Sequence, residues 1–185
     1  MEALLFSTGI VALAEIGDKT QLLTLLLASR FKRPGPIILG ILIATLLNHA
    51  IAAALGAWIA REVGDQAMRW ILGISFLAMA GWMLIPDKLE GDAGASRRLG
   101  GVLLTTTILF FAVEIGDKTQ VATVALAARF ESFASVVTGT TLGMVLANAP
   151  VAIFGEQLAR RLPVRKVHVV AALVFAVLGI GVIIT

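Results

Sequence analysis

The chain has 185 residues, of which 58% are hydrophobic and 15% are charged, and its mean hydropathy is +0.95. Soluble domains are usually about half apolar and about a quarter charged, so this composition argues against a soluble globular protein and against disorder. Cysteine is absent, which excludes disulfides and thiolate metal sites. The net charge is +3, but the basic residues lie in short clusters between apolar runs, as in membrane proteins. We therefore expect a lipid bilayer, and no nucleic acid, as the partner.

Six apolar segments follow one another along the chain, and about 20 such residues suffice to cross a bilayer. The N-terminus lacks the basic start of a signal peptide, so we expect the first segment to be retained. Pro34, Gly35 and Pro36 are expected to break the chain after the first helix, and Pro150 is expected to kink the fifth. The predicted helices cover residues 3–28, 37–60, 68–85, 102–128, 135–158 and 167–184.

An internal repeat decides the predicted architecture. Residues 15–21 (Glu-Ile-Gly-Asp-Lys-Thr-Gln) recur unchanged as residues 114–120, at an offset of 99. Because a three-helix unit reverses the direction of the chain across the membrane, its second copy must be inserted upside down. We predict an all-α integral membrane protein of six transmembrane helices, built as two inverted three-helix repeats. The repeats would cover residues 1–86 and 101–185, joined by a linker over residues 87–100.

The basic residues segregate between the two sets of predicted loops. Loops opposite the N-terminus carry ten lysines and arginines, whereas loops on the N-terminal side carry three, Arg61, Arg69 and Arg129. The positive-inside rule then places both termini outside the cytoplasm. The small size of the chain suggests a bacterial inner (plasma) membrane.

The repeated polar clusters carry the predicted chemistry. About 16 Å of helix precedes Glu15, roughly half the hydrocarbon core, and Glu114 has the same depth from the other side. Glu and Asp three residues apart would share one helical face, and the glycine between them could let the helix unwind. Four carboxylates there, those of Glu15, Asp18, Glu114 and Asp117, need protons, partners or a cation. Oxygen ligands suit Mn²⁺, Ca²⁺ or Mg²⁺.

Nine further polar residues are candidates for supporting roles. Each motif lysine follows its glutamate by four residues, so an intrahelical ion pair is one option. His49 aligns with Asn148 at the offset of 99, and either a pore-lining role, proton transfer or an interhelical hydrogen bond would suit it. His168, outside this set, is expected at the membrane interface. The supporting candidates are Gln21, Gln120, Asn48, Asn148, Thr20, Thr119, Lys19, Lys118 and His49.

The doubled Glu-x-Gly-Asp-Lys-Thr motif resembles that of the small divalent-cation/proton antiporters. The eukaryotic members of this family are Golgi calcium/manganese transporters, and its bacterial members include manganese exporters. The resemblance covers nearly the whole chain and implies that Glu15, Asp18, Glu114 and Asp117 bind the transported cation. The chain lacks the long acidic central loop of larger members.

The predicted function is that of a secondary transporter, not an enzyme, which exports Mn²⁺ or Ca²⁺ from the cytoplasm in exchange for protons. No resident cofactor is expected, and the oligomeric state is open, with a homodimer as one option. Three alternatives remain at this point. They are a membrane-embedded hydrolase with an aspartate dyad formed by Asp18 and Asp117, an exporter of a small organic solute, and a structural subunit.

Overall fold

A computed structural model describes residues 1–85, 100–155, 157 and 163–184, and these residues form helices and turns with no strand. The all-α prediction is therefore confirmed for the described part of the chain. The predicted linker over residues 87–100 lies outside the described residues except for Gly100. The helices are α1 (Glu2–Glu15), α2 (Lys19–Phe31), α3 (Pro34–Glu62), α4 (Asp65–Trp82), α5 (Val102–Glu114), α6 (Lys118–Phe130), α7 (Phe133–Phe154) and α8 (Val164–Ile184).

The first and fourth predicted helices are each broken in two at the polar motif. Gly17 and Gly116 have φ angles of +84° and +76°, a region that residues with a side chain rarely adopt. The three residues before Lys19 and the three before Lys118 are thus not helical, and Asp18 and Asp117 occupy the N-cap positions of the helices that follow. The predicted helices over residues 3–28 and 102–128 are therefore each two helices, and the unwinding that the motif glycine was expected to allow is present in both motifs.

The chain turns after α2 at Lys32 and not at the prolines. Lys32 has a φ of 52°, and its backbone N–H donates to the Ala28 carbonyl at 3.0 Å. Pro34 is the first residue of α3, where a missing N–H costs nothing because the first turn has no intrahelical acceptor. The predicted helix breaker is therefore a helix start. Pro150 lies inside α7, which ends at Phe154.

Two helix pairs pack through equivalent glycines. In the α1–α7 pair, a Cβ on Gly139 would lie 2.5 Å from the Leu4 carbonyl oxygen and 2.9 Å from the Ser7 Cβ. In the α3–α5 pair, a Cβ on Gly40 would lie 3.0 Å from the Leu103 oxygen, and the Thr106 side chain would also be in contact. All three positions of one pair map onto the other at the offset of 99. The repeat in the sequence therefore appears again as a repeat of packing contacts.

The α4 and α8 helices form a third close pair. A Cβ built on Gly179 would lie only 2.8 Å from the Gly73 carbonyl oxygen, so the two backbones are in close contact there. The rings of Phe76 and Phe175, which are equivalent at the offset of 99, have centroids 6.2 Å apart. Small residues at a helix crossing allow the backbones to approach, as is usual in membrane proteins.

Three of the described helices are long and apolar enough to cross a membrane, namely Pro34–Glu62, Phe133–Phe154 and Val164–Ile184. Their outer faces carry large exposed apolar side chains, among them Leu47, Leu146 and Leu173. A soluble monomer rarely exposes so much contiguous apolar surface, whereas lipid chains would cover it. The structure is thus consistent with a membrane protein.

The glycine contacts lead to a prediction about stability. Gly139→Ala should destabilise the fold by about 1–3 kcal/mol, because the new methyl group overlaps the α1 backbone. Gly9→Ala in α1 is the matched control, since no atom of the described residues lies within 4 Å of its added Cβ. Thermal unfolding of the two variants in detergent measures the difference. Equal melting temperatures would contradict the proposed role of Gly139.

Candidate cation site

Three buried carboxylates from the two helix breaks lie together. One oxygen each from Glu15, Glu114 and Asp117 lies within 4.8 Å of the others, and each residue is at most 2% exposed. Two oxygens that bind one Ca²⁺ ion at 2.3–2.6 Å can be up to about 5 Å apart. The spacing is therefore compatible with a single cation between them.

Glu15 is the acid of this triad with hydroxyl partners. Thr20 donates a hydrogen bond to its Oε2, and Thr119, from the second motif, donates to its Oε1. By contrast, neither Glu114 oxygen accepts a hydrogen bond from any described residue. The twin motifs thus surround their glutamates differently, although their sequences are identical.

The motif lysines pair with aspartates of the opposite motif. Lys19 Nζ lies 3.1 Å from Asp117 Oδ1, and Lys118 Nζ lies 3.8 Å from Asp18 Oδ1. The intrahelical Glu–Lys pairing offered as one option is not formed. The helix is interrupted between the two residues, so a spacing of four residues no longer places their side chains on the same helical face. Each of these lysine–aspartate pairs joins the two motifs and offsets one of the buried negative charges.

The aspartates do not share a helical face with their glutamates, and that prediction is wrong. The ψ angles of Ile16 and Asp18 are 112° and 168°, so the chain is extended between the two acids. Asp18 lies outside the close triad, beside Lys118, whereas Asp117 belongs to it. The structure brings three of the four predicted acids together.

The motif glutamines hold the broken backbone in place. Gln21 Oε1 accepts a hydrogen bond from the Gly17 N–H at 2.9 Å, and Gln120 Oε1 accepts one from the Gly116 N–H at 2.7 Å. The Gln21 side-chain amide also donates to the Ala147 carbonyl at 3.0 Å. The amide oxygens predicted as supporting ligands are thus turned toward the glycines in this structure.

The two asparagines are also tied into local hydrogen bonds. Asn48 donates to the Phe111 carbonyl at 3.4 Å and accepts from the Gln120 amide. Asn148 accepts from the Thr24 hydroxyl at 2.6 Å and donates to the Met144 carbonyl at 3.1 Å. Both asparagines connect the motif helices to α3 or α7 and therefore fix the geometry around the acids.

His49 faces the acid triad from α3. Its side chain is fully buried, and its Nε2 lies 3.9 Å from Glu114 Oε1. Neither ring nitrogen has a hydrogen-bond partner within the ranges that the structure describes. This arrangement differs from that of Asn148, its equivalent in the other half.

The helix ends add to the local field. The α1 and α5 helices end at Glu15 and Glu114, and the partial negative charge of a helix C-terminus favours a cation. The α2 and α6 helices begin directly after Asp18 and Asp117, where the positive end of the helix stabilises a carboxylate. Broken helices with this polarity form ion sites in many transporters.

The two breaks are covered unequally. Val164, at the start of α8, would overlap a side chain at Gly17, and His168 Nε2 lies 2.8 Å from the Ile16 carbonyl oxygen. Among the residues that the structure describes, no atom lies within 4 Å of a Cβ built on Gly116, and the neighbouring Ile115 is 58% exposed. His168 is buried in the protein, and the repeat gave no signal for its contact because its equivalent is Arg69.

Comparison with known proteins adds the family. The model described as "Divalent cation/proton antiporter GDT1" matches residues 3–91 and 102–185. A protein of Vibrio cholerae named "Putative manganese exporter" is 49% identical over 182 residues, covering 98% of this chain and 90% of that protein. "GDT1-like protein 3" of Arabidopsis thaliana is 27% identical over 200 residues, covering 94% and 68% of the two chains.

A third relative, "GDT1-like protein sll0615" of Synechocystis, is 25% identical over 190 residues and covers 92% of both chains. No solved structure matches the chain. The predicted resemblance is confirmed, and so is the prediction of a transporter in place of an enzyme. By the match of its two halves, the chain belongs to the GDT1 family of divalent cation/proton antiporters.

Proposed function

We propose that the protein exports Mn²⁺ from the cytoplasm in exchange for protons, with Ca²⁺ as a second cargo. The observation that carries this proposal is the meeting of Glu15, Glu114 and Asp117 in one buried cluster. The name of the Vibrio cholerae relative, which includes manganese export, supports Mn²⁺ as the cargo.

In this proposal the three acids of the triad bind the cation directly. Asp18 joins them during transport, when the cation displaces Lys118 from its carboxylate. Lys19 would be displaced from Asp117 in the same way, since a divalent cation attracts a carboxylate more strongly than an ammonium group does. The lysines therefore act as counter-ions that offset the acids whenever the cargo is absent. The hydroxyls of Thr20 and Thr119 orient Glu15.

We further propose that the chain spans the membrane six times, as inverted repeats over residues 1–86 and 101–185 with residues 87–100 as linker. Support comes from the equivalent contacts of Gly40 and Gly139 in the α3–α5 and α1–α7 pairs. Support also comes from the reciprocal lysine–aspartate pairs, which run from each motif to the other. A broken helix then counts as one span in each half.

Exchange with protons follows from the shared site. Acids buried close together in a low dielectric repel one another, and either protons or a divalent cation relieves that repulsion. The two cargoes would therefore occupy the same carboxylates in turn. The start of α8 would close one side of the site over Gly17, and its movement relative to the second break would give alternating access.

The alternative of an exporter of a small organic solute is less well supported. An exporter of organic solutes would show apolar or aromatic residues in place of the buried acids, whereas the cluster in this chain consists of three carboxylates with two lysines and a histidine beside them. The proposed location is a bacterial inner membrane, with both termini outside the cytoplasm because the opposite loops hold most of the basic residues.

Removal of single charges tests the cation site. Glu15→Gln and Glu114→Gln should each abolish Mn²⁺ flux and the coupled proton flux, because each removes a charged ligand. Metal-sensitive and pH-sensitive dyes in proteoliposomes measure both fluxes. Glu62→Gln, at the exposed end of α3, is the control and should transport normally. Persistent coupled transport in the Glu15 and Glu114 variants would contradict the proposal that these residues bind the cation.

Competition between protons and metal predicts the sign of the pH effect. Mn²⁺ affinity should fall as the pH is lowered, because each proton on a carboxylate removes a ligand charge. Titration of the purified protein with Mn²⁺ at several pH values measures this dependence. An affinity that does not change between acidic and alkaline pH would argue against a site shared with protons.

Cysteine labelling tests the orientation, since the chain has no native cysteine. Gly64→Cys and Arg33→Cys place exposed thiols at the two ends of α3. A membrane-impermeant maleimide added to intact cells should label position 64 and should label position 33 only after lysis. The reverse pattern would invert the proposed topology, and equal labelling would contradict a spanning α3.

A further inference from the structure

We infer that His49 is a nitrogen ligand of the transported cation and that it makes the site selective for first-row transition cations, Mn²⁺ among them, over Ca²⁺ and Mg²⁺. This inference rests on the proposed function and deepens it by naming the class of cargo. It assigns a role to a residue that lies outside the repeated motif.

The position of the ring is the first argument. His49 Nε2 lies 3.9 Å from Glu114 Oε1, and Glu114 belongs to the acid triad. Two donor atoms bound to one ion at about 2.1 Å are at most about 4.2 Å apart. The existing separation therefore allows one ion to contact both atoms without a movement of α3 or α5.

The second argument is that the ring is fully buried and unsatisfied. Both nitrogens are enclosed, and neither has a hydrogen-bond partner in the described part of the chain. A buried polar group without a partner costs about 1–3 kcal/mol, so a merely structural histidine would normally find one. A bound cation would supply the missing partner for Nε2.

The equivalent position in the other half strengthens this argument. Asn148 has its oxygen occupied by the Thr24 hydroxyl and its amide by the Met144 carbonyl. Thr24 and its equivalent Thr123 both lie within hydrogen-bond distance of the carbonyl four residues earlier, at 2.9 Å and 2.8 Å, but no described hydroxyl is bonded to the His49 ring. The structural hydrogen bonds of position 148 are thus not copied at position 49, which leaves the imidazole available to the site.

The chemistry of the donor decides the selectivity. Ca²⁺ and Mg²⁺ are bound by oxygen atoms, whereas imidazole is the commonest nitrogen ligand of transition metals. Affinities of mixed nitrogen and oxygen sites rise from Mn²⁺ through Fe²⁺ and Co²⁺. A site with three carboxylates and one imidazole therefore discriminates against alkaline-earth ions and should also accept Fe²⁺ and Co²⁺.

Spectroscopy on the unmodified protein tests the ligand directly. Electron spin echo envelope modulation of bound Mn²⁺ should show coupling to a histidine nitrogen, which changes when the histidines are labelled with ¹⁵N. The chain has two histidines, so His49→Asn should remove the coupling and His168→Asn should leave it. Absence of nitrogen coupling in the wild-type protein with bound Mn²⁺ would overturn the inference.

Binding measurements test the selectivity. His49→Asn should lower the Mn²⁺ affinity by about 10–100-fold and change the Ca²⁺ affinity little, because the new amide offers an oxygen to either ion. His168→Asn should keep the wild-type ratio of the two affinities. An unchanged ratio in His49→Asn, with Mn²⁺ transport intact in the wild type, would refute this inference alone. Failure of the wild type to bind or transport Mn²⁺ would refute the proposed function itself.

Discussion

Burial of several carboxylates in one small volume is the constraint on which the structure depends. Charged acids in a low dielectric are costly unless hydroxyls, ammonium groups, protons or a cation offset them. Here the offsetting groups come from the opposite motif, since Thr119 donates to Glu15 and Lys19 pairs with Asp117. The halves are therefore held together by the same charges that form the candidate site.

The helix breaks make this arrangement sterically feasible. Each positive-φ glycine ends one helix at a glutamate and starts the next after an aspartate. Side-chain amides then satisfy the glycine N–H groups that the break leaves without helical acceptors. The break costs little in hydrogen bonds, and it brings the ends of four helix dipoles to one place.

Identical motifs nevertheless have different surroundings. Glu15 has two hydroxyl partners and Glu114 faces His49, while α8 covers the first break and no described atom lies as close to the second glycine. In a transporter with one alternating site, such asymmetry is expected of any single conformation. The difference between His49 and Asn148 is of another kind, because it lies in the sequence and persists in every conformation.

The sequence by itself determined the membrane class, the repeat, the family and the acids that could bind a cation, because hydropathy and an exact seven-residue duplication are local signals. It also predicted that Gly17 could interrupt a helix. Only the tertiary structure decided that Lys19 pairs with Asp117 and that Asp18 lies outside the triad. Those contacts depend on how the halves pack, and helical spacing cannot predict them where the backbone is extended. The contact of His168 with the Ile16 carbonyl likewise could not be predicted from the sequence, since the two residues are 152 positions apart and no repeated motif connects them.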